Sequence, residues 1–359
     1  MPAHFGIDGR EIMTHPPSDR APPPPTSRPY VGVQARPVRV AVIGAGHVGA
    51  TFAYALLQSG LAAEIVMVDP DRDRVRGEVM DLADAVPFLS PARVWAGGPS
   101  DCAGAVVTVV TAGGAQRPGQ TRLDLLRENA DLFETIIPEV ARQNPGGMIL
   151  VATNPVDLLT RLAIARSGLP PGWVMGSGTI LDTSRLRARL GRLCGVDPRS
   201  VHGYVIGEHG ESEVIALSTV TVAGLKLATY CAAAHLTCDA PTLAALVNET
   251  RGAAGEIIAL KGATSYAIAA GLVRIVEAIV RDQHTVLTLS SQMEDPRFGA
   301  PGLCMSLPTV ISAAGVEMVL PVALASGEQS ALLESARILQ AAWTQVTAAE
   351  HGRAAAASA

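Results

Sequence analysis

From Val38 onward the chain alternates two hydrophobic textures. Segments 38–44 (VRVAVIG), 64–69 (EIVMVD), 106–113 (VVTVVTAG) and 148–154 (MILVATN) are continuous apolar runs, and the stretches between them carry apolar residues at helical spacing. A strand with one wet face alternates apolar and polar positions, whereas a strand covered on both faces is apolar throughout. These runs therefore predict a doubly wound parallel sheet between layers of helix, an α/β fold, over 38–176. Over 177–349 longer helices mix with shorter strands such as 213–220 (EVIALSTV), which predicts a second, α+β domain. At 359 residues the chain suits two domains with a cleft between them, the usual place for a small ligand.

The ends of the chain lack this texture. Residues 1–37 hold the run Pro22–Pro25 among polar residues without hydrophobic period, the composition of a disordered extension or, alternatively, a polyproline docking segment. The Ala-rich residues 350–359 are expected to form a loose tail. With 48% hydrophobic and 17% charged residues and a net charge of −5, the chain offers a well-buried core and no basic patch, which argues against a nucleic-acid partner. Apolar stretches are interrupted before they reach membrane-spanning length, and no signal-peptide pattern opens the chain. Five scattered cysteines, an odd number without a C-x-x-C pair, suggest neither a disulfide framework nor a metal site, and a reducing cytoplasm fits best.

Gly44-Ala45-Gly46-His47-Val48-Gly49 directly follows the first apolar run and opens a helical segment. In that context G-x-G-x-x-G is a dinucleotide-binding pattern of Rossmann type. Gly44 permits a tight turn, Gly46 lets a pyrophosphate approach the backbone, Gly49 allows close helix packing, and the helix N-terminus supplies amide donors. Asp69, twenty residues past Gly49, ends the second run; a carboxylate there bonds ribose hydroxyls and repels a 2′-phosphate, favouring NAD over NADP. Arg74 either blunts that preference or is a solvated helix charge.

In GSGTILDTSRLR (176–187), Asp182 and Arg185 lie three apart on one helix face, as either a surface ion pair or a carboxylate grip. His209 stands in the Gly-flanked IGEHGESE (206–213), and alone carries little. Together with GAGHVG, TAGGAQRPGQTRLDLLREN (111–129), VATNPVDLLT (151–160) and KGATSYAIA (261–269), in that order and spacing, these segments resemble the lactate/malate dehydrogenase family, its bacterial L-lactate-type members in particular. The resemblance runs from about Val38 to Val346. It implies reversible hydride transfer between NAD and a 2-hydroxy acid, with His209 as proton donor and acceptor, Asp182 holding its imidazole, Arg185 binding the substrate carboxylate, and Arg122 polarising the carbonyl from a closing loop that includes Gly113, Gly114, Pro118 and Gly119. Asn154 would touch nicotinamide and substrate, Thr264 would wall the substrate methyl unless it is a helix-core residue, and Val48, Thr135, Ala152 and Ser177 would complete the cofactor pocket.

Substrate choice would rest on Gln116. A neutral side chain there leaves a second carboxylate unpaired, so pyruvate/lactate is favoured over the alternative, malate or another 2-hydroxy acid, provided that the loop register does not present Arg117 instead. The resemblance also suggests fructose 1,6-bisphosphate as an effector at Arg187 and His202, a homotetramer or dimer, and a role in glycolysis and fermentation. Two positions depart from the family pattern. Glu211 replaces the aspartate after GEHG and is expected to affect the orientation or pKa of His209, and Pro99 stands where an aromatic side chain near the adenine is common.

Overall fold

The structure, a computed structural model, describes residues 37–114, 122–296 and 302–357. Six parallel strands form from the expected apolar runs and their neighbours: β1 (Arg39–Ile43), β2 (Glu64–Val68), β3 (Arg93–Ala96), β4 (Val107–Val110), β5 (Met148–Val151) and β6 (Val174–Gly176). Between and after them lie α1 (His47–Ser59), α2 (Arg72–Ala85), α3 (Arg122–Gln143), α4 (Val156–Ser167) and α5 (Ile180–Cys194). The strand order β3-β2-β1-β4-β5-β6 reverses between β1 and β4, so the loops after these two strands part there and leave the crevice in which open α/β sheets bind ligands.

Alternate residues of one strand serve opposite faces, which is why the runs are apolar throughout. In β1, Ala41 and Ile43 pack into a core with Phe133 and Ile137 of α3 and Leu159 of α4, while Val40 and Val42 pack with Phe52 and Leu56 of α1.

The sheet does not end at β6. After β7 (Val201–His202), β8 (Val205–Ile206), β9 (Val214–Ile215), β10 (Thr221–Val222) and β11 (Leu225–Lys226) come α6 (Leu227–Ala233), α7 (Ala240–Lys261) and α8 (Tyr266–Val280). Strand β12 (Thr285–Gln292) then pairs antiparallel with β6, with Ser290 opposite Gly176, and β13 (Cys304–Ser312) and β14 (Gly315–Val319) follow, each antiparallel to the strand before it, giving nine strands in one sheet among the described residues. Helix α9 (Ser326–Ala357) packs Leu332, Ala336 and Leu339 against the α3/α4 face. Strands of the second half thus extend the sheet of the first, and Pro37–Ala359 forms one compact unit.

Several sequence expectations need correction. The segment 213–220 yields only the two-residue β9, followed by a tight turn at Leu217–Thr219. Over residues 350–357 the Ala-rich end is helical instead, because α9 continues to Ala357, in keeping with alanine's helix propensity, the highest of any residue. Cys231 of α6 and Cys238, before α7, form a disulfide with Cα atoms 6.1 Å apart, a local staple that the absence of a C-x-x-C pair did not suggest. Thr264 lies in the connector between α7 and α8, which removes its reading as a helix-core residue. Among the described residues no helix is long and apolar enough to cross a membrane.

Candidate active site

The turn after β1 is held by backbone geometry. Gly44 has φ +105°, its N–H donates to the Val68 carbonyl at 2.8 Å, and a Cβ there would meet Ala112 N at 2.7 Å. Thr111, just past β4, donates its hydroxyl to the Ile43 and Gly44 carbonyls at 3.1 and 3.0 Å, tying together the two loops at the reversal of strand order. Gly49 packs so tightly that a Cβ would stand 1.9 Å from the Gly44 carbonyl oxygen, whereas a Cβ at Gly46 would find nothing within 4 Å.

Above Gly46, therefore, lies open space, and no side chain caps the first turn of α1. A cradle of free amides at a positive helix end fits a pyrophosphate. Asp69 at the end of β2 accepts from the backbone N–H groups of Ala45 (2.7 Å) and Asp71 (2.9 Å), which fixes its carboxylate beside the glycine turn. Arg74 is exposed in the first turn of α2.

A second cluster gathers buried charge. Asp182, in the first turn of α5 and 3% exposed, accepts from His209 Nδ1 at 2.6 Å and from Arg185 Nη1 at 2.9 Å. The pair three apart on α5 is thus an ion pair and a neighbour of the histidine at once. The N-terminal end of α5 is anchored through Thr179, which donates to the Val205 carbonyl at 2.5 Å, and Thr183, whose hydroxyl accepts from Val205 N–H at 3.0 Å. The His209 loop is pinned on two sides. Gly207 exchanges backbone hydrogen bonds with Ser306 of β13, and Glu208 N–H donates to Ser335 of α9 at 2.8 Å.

His209 N–H itself donates to Asp157 Oδ2 at 2.8 Å. Asp157 is buried near the start of α4, where burial raises its carboxyl to about 6 against the stabilising contact from His209. For His209, burial opposes the charged imidazole. The charge and hydrogen bond of Asp182, backed by Asp157 and Glu213, outweigh it and raise the pKa to about 9. Asp182 suffers the same burial but is held below the usual carboxylate range by His209 and Arg185. The result is an imidazolium at neutral pH, oriented through Nδ1 and with its side chain 25% exposed.

The remaining predicted residues lie on several different elements. Gly113 and Gly114 follow β4, and Asn129 of α3 links Gly114 N–H (2.8 Å) to the Asn154 carbonyl (2.7 Å). Ala152 and exposed Asn154 follow β5, buried Ser177 follows β6, Val48 is half-buried on α1, and Thr135 is exposed on α3. Arg122 is the first residue of α3. Gln116, Arg117, Pro118 and Gly119 lie outside the described residues. Arg187 donates to the Gly203 carbonyl at 3.2 Å, next to exposed His202. Pro99 opens a short helical turn after β3.

One expectation fails here. Glu211 is exposed, and the carboxylates that act on His209 are Asp182, Asp157 and Glu213. Sequence reading missed Asp157 and Glu213, although both lie inside segments quoted for other residues. Their only signal is acidity at positions that the surrounding apolar pattern buries.

Comparison with known proteins meets the same two-part layout. Profiles described as "lactate/malate dehydrogenase, NAD binding domain" and "lactate/malate dehydrogenase, alpha/beta C-terminal domain" match residues 38–176 and 179–350. The chain belongs to the lactate/malate dehydrogenase family. As a member it carries the family's NAD-binding domain over residues 38–176, so NAD is its cofactor. The L-lactate dehydrogenase of Synechococcus sp. (strain JA-3-3Ab) is 46% identical over 299 residues, 83% of this chain and 96% of the relative. That of Thermoanaerobacter sp. (strain X514) is 41% identical over 302 residues, 84% and 97%. Among solved structures, the minor L-lactate dehydrogenase from Enterococcus mundtii in its ligands-bound form aligns with a TM-score of 0.83 at 37% identity, covering 86% of this chain and 98% of that one.

Proposed function

We propose that the chain is an NAD-dependent L-lactate dehydrogenase that reduces pyruvate to L-lactate reversibly, with His209 as the proton donor in reduction and the acceptor in oxidation. The observation that carries this is the constellation at Asp182. One buried carboxylate holds an imidazolium by Nδ1 and a guanidinium by Nη1, so a proton and a carboxylate grip are presented side by side. Bound at the glycine cradle, NADH supplies the hydride. Arg185 grips the substrate carboxylate in a charge-assisted, bidentate fashion. His209, charged below about pH 9, gives its proton to the oxygen that becomes the lactate hydroxyl, and Asp182 stabilises the charged ring and fixes its tautomer. Asn154, Thr264 and Arg122 complete the substrate wall, and Gln116 selects a monocarboxylate.

Residues 38–176 serve as the cofactor part and 177–349 as the substrate part. Fructose 1,6-bisphosphate activates through Arg187 and His202, whose placement around Gly203 supports this, in a homotetramer working in cytoplasmic glycolysis and fermentation. The test is a steady-state panel of 2-oxo acids with NADH, run with and without the sugar bisphosphate. Pyruvate should give the highest kcat/KM and should respond to the effector. Preference for oxaloacetate would overturn the choice of acid, and an unchanged rate across pH and protein concentration would overturn the effector site.

A further inference from the structure

The carboxyl ends of β1, β2 and β3 stand side by side. Gly44 N–H donates to the Val68 carbonyl at 2.8 Å and Gly97 N–H to the Met67 carbonyl at 2.9 Å, so the turns after β1 and β3 flank the end of β2. Asp69 lies between these turns, with its carboxylate on the Ala45 N–H at 2.7 Å. From the first residue of α2, Arg72 reaches to the far turn and donates from Nη1 to the Gly97 carbonyl at 3.0 Å. Arg72 is otherwise exposed.

The Gly97 turn has anchors of its own. A Cβ at Gly97 would stand 2.5 Å from Val66 Cγ2, and Gly98 N–H donates to Asp101 Oδ2 at 2.8 Å. The bond from Arg72 therefore fixes the guanidinium more than it fixes the turn.

We propose that Arg72 lays its guanidinium plane against the adenine of the bound dinucleotide and so sets the affinity for that half of the cofactor. This rests on the reading of the Gly46 cradle as the pyrophosphate site and of Asp69 as the ribose partner.

The order of the strands gives the reason. Pyrophosphate at the helix after β1 and ribose on the acid after β2 direct the base away from the cradle, toward β3, about one strand spacing of 4.8 Å further on. Arg72 is bonded to Gly97 at that place. A guanidinium is flat, delocalised and weakly hydrated, so it can cover a purine face at little desolvation cost. Pro99, which opens the turn after Gly98, brings no aromatic ring there, and the flat surface is that of Arg72. Asp69 and Arg72 then divide the work: the carboxylate reads the ribose, and the guanidinium holds the base.

Arg72→Ala should weaken ADP-ribose about tenfold, read by displacement of NADH fluorescence, the size expected for loss of one stacked base. Inorganic pyrophosphate, which fills the cradle without a base, should bind both proteins alike. Arg72→Lys keeps the charge but has no plane, and should resemble the alanine variant. In turnover, KM for NADH should rise while kcat and KM for pyruvate hold. A second measurement uses the wild type alone. The reduced hypoxanthine analogue of NADH, altered only at an edge of the base, should bind within roughly threefold of NADH, because stacking reads a face and not an edge.

Equal ADP-ribose affinity in wild type and Arg72→Ala, equal losses for ADP-ribose and pyrophosphate, or full affinity in Arg72→Lys would overturn the proposal. So would a large loss of the hypoxanthine analogue by the wild type, a result that stands even if the variants do not fold. Weaker NADPH with unchanged NADH in Arg72→Ala would assign the guanidinium to a 2′-phosphate and overturn it as well. Failure of the underlying reading has a different signature: the wild type binds neither NADH nor pyrophosphate, or Gly46→Ala leaves both unchanged.

Discussion

The glycine cradle after β1 and the charged cluster around Asp182 belong to one compact unit, yet they are built from opposite materials. The cradle works by what is missing. Gly44 and Gly49 allow the backbone to close on itself, and Gly46 leaves open space over the free amides of α1. The acid site works by what is buried: Asp182, Asp157 and Glu213, each at most 5% exposed, surround one imidazole. The first is therefore sensitive to volume and indifferent to pH. The second depends on the charges that set the His209 imidazole.

The strongest way to break this contrast is His209→Gln. Loss of the proton donor should lower pyruvate reduction about 10³-fold or more, on the order of 4 kcal/mol of barrier, and leave NADH affinity as it was. Fluorescence titration with NADH checks the second half. A large loss of affinity would mean that the two regions are not separable.

Asp182→Asn comes next. It removes the largest charge that opposes burial at His209, so the imidazole pKa should fall well below about 9. Reduction needs the charged ring, present below the pKa and lost as pH rises through it. The alkaline limb should therefore move acidward from about pH 9, and the neutral-pH rate should drop about 10²-fold. Lactate oxidation needs the neutral ring, so its wild-type rate should rise through about pH 9, and this limb should shift acidward in the variant. Stability follows the same sign. The His209–Asp182 contribution is complete below the unfolded imidazole's value and is lost as pH climbs through about 9. An unmoved pH profile would show that Asp182 does not set the charge of His209.

The contrast also accounts for what could be read in advance. The cradle was legible because its members are local: Gly44, Gly46 and Gly49 share one turn, and Asp69 comes at the next strand end. The parallel strands were legible because burial on both faces leaves uninterrupted apolar runs. Asp182 and His209 lie 27 positions apart and meet through tertiary anchors, among them Thr179 and Thr183, which fasten α5 to the strand at Val205, and Ser335, which holds the His209 loop. Periodicity carries no trace of such a meeting, and only the family resemblance joined the two residues. Asp157 and Glu213 stayed hidden because an acid that folding buries is, in sequence, the same letter as an acid that it exposes, as the neighbour Glu211 shows. The continuous sheet across 176 was hidden for a related reason: strand pairing at Ser290–Gly176 is a long-range event.

On the cradle side, a pair of alanines separates steric closure from ligand space. Gly49→Ala places a Cβ 1.9 Å from the Gly44 carbonyl, so the turn must open, and both Tm and NADH affinity should fall. Gly46→Ala meets no protein atom and should keep Tm within experimental error while weakening NADH about tenfold, since a methyl then occupies space left for pyrophosphate. If both variants lose stability equally, Gly46 is structural and the open space above it is not a ligand site.

The smallest effect should come from the Cys231–Cys238 staple, which touches neither region. It closes a short loop between α6 and α7, so by chain entropy it contributes about 2 kcal/mol. Cys231 packs in a core with Leu186 and Leu190 of α5, the helix that carries Asp182 in its first turn, so looseness here could reach the acid site in principle. The anchors of α5 near Asp182, however, are hydrogen bonds of Thr179 and Thr183 to Val205, and although Val205 shares this core, neither bond involves Cys231 or Cys238. Reduction by a dithiol, or the double replacement of Cys231 and Cys238 by serine, should therefore lower Tm by on the order of a few degrees and leave kcat, its pH limb near 9 and NADH affinity unchanged. A shift of that limb on reduction would show that the charge at His209 depends on the α6–α7 packing.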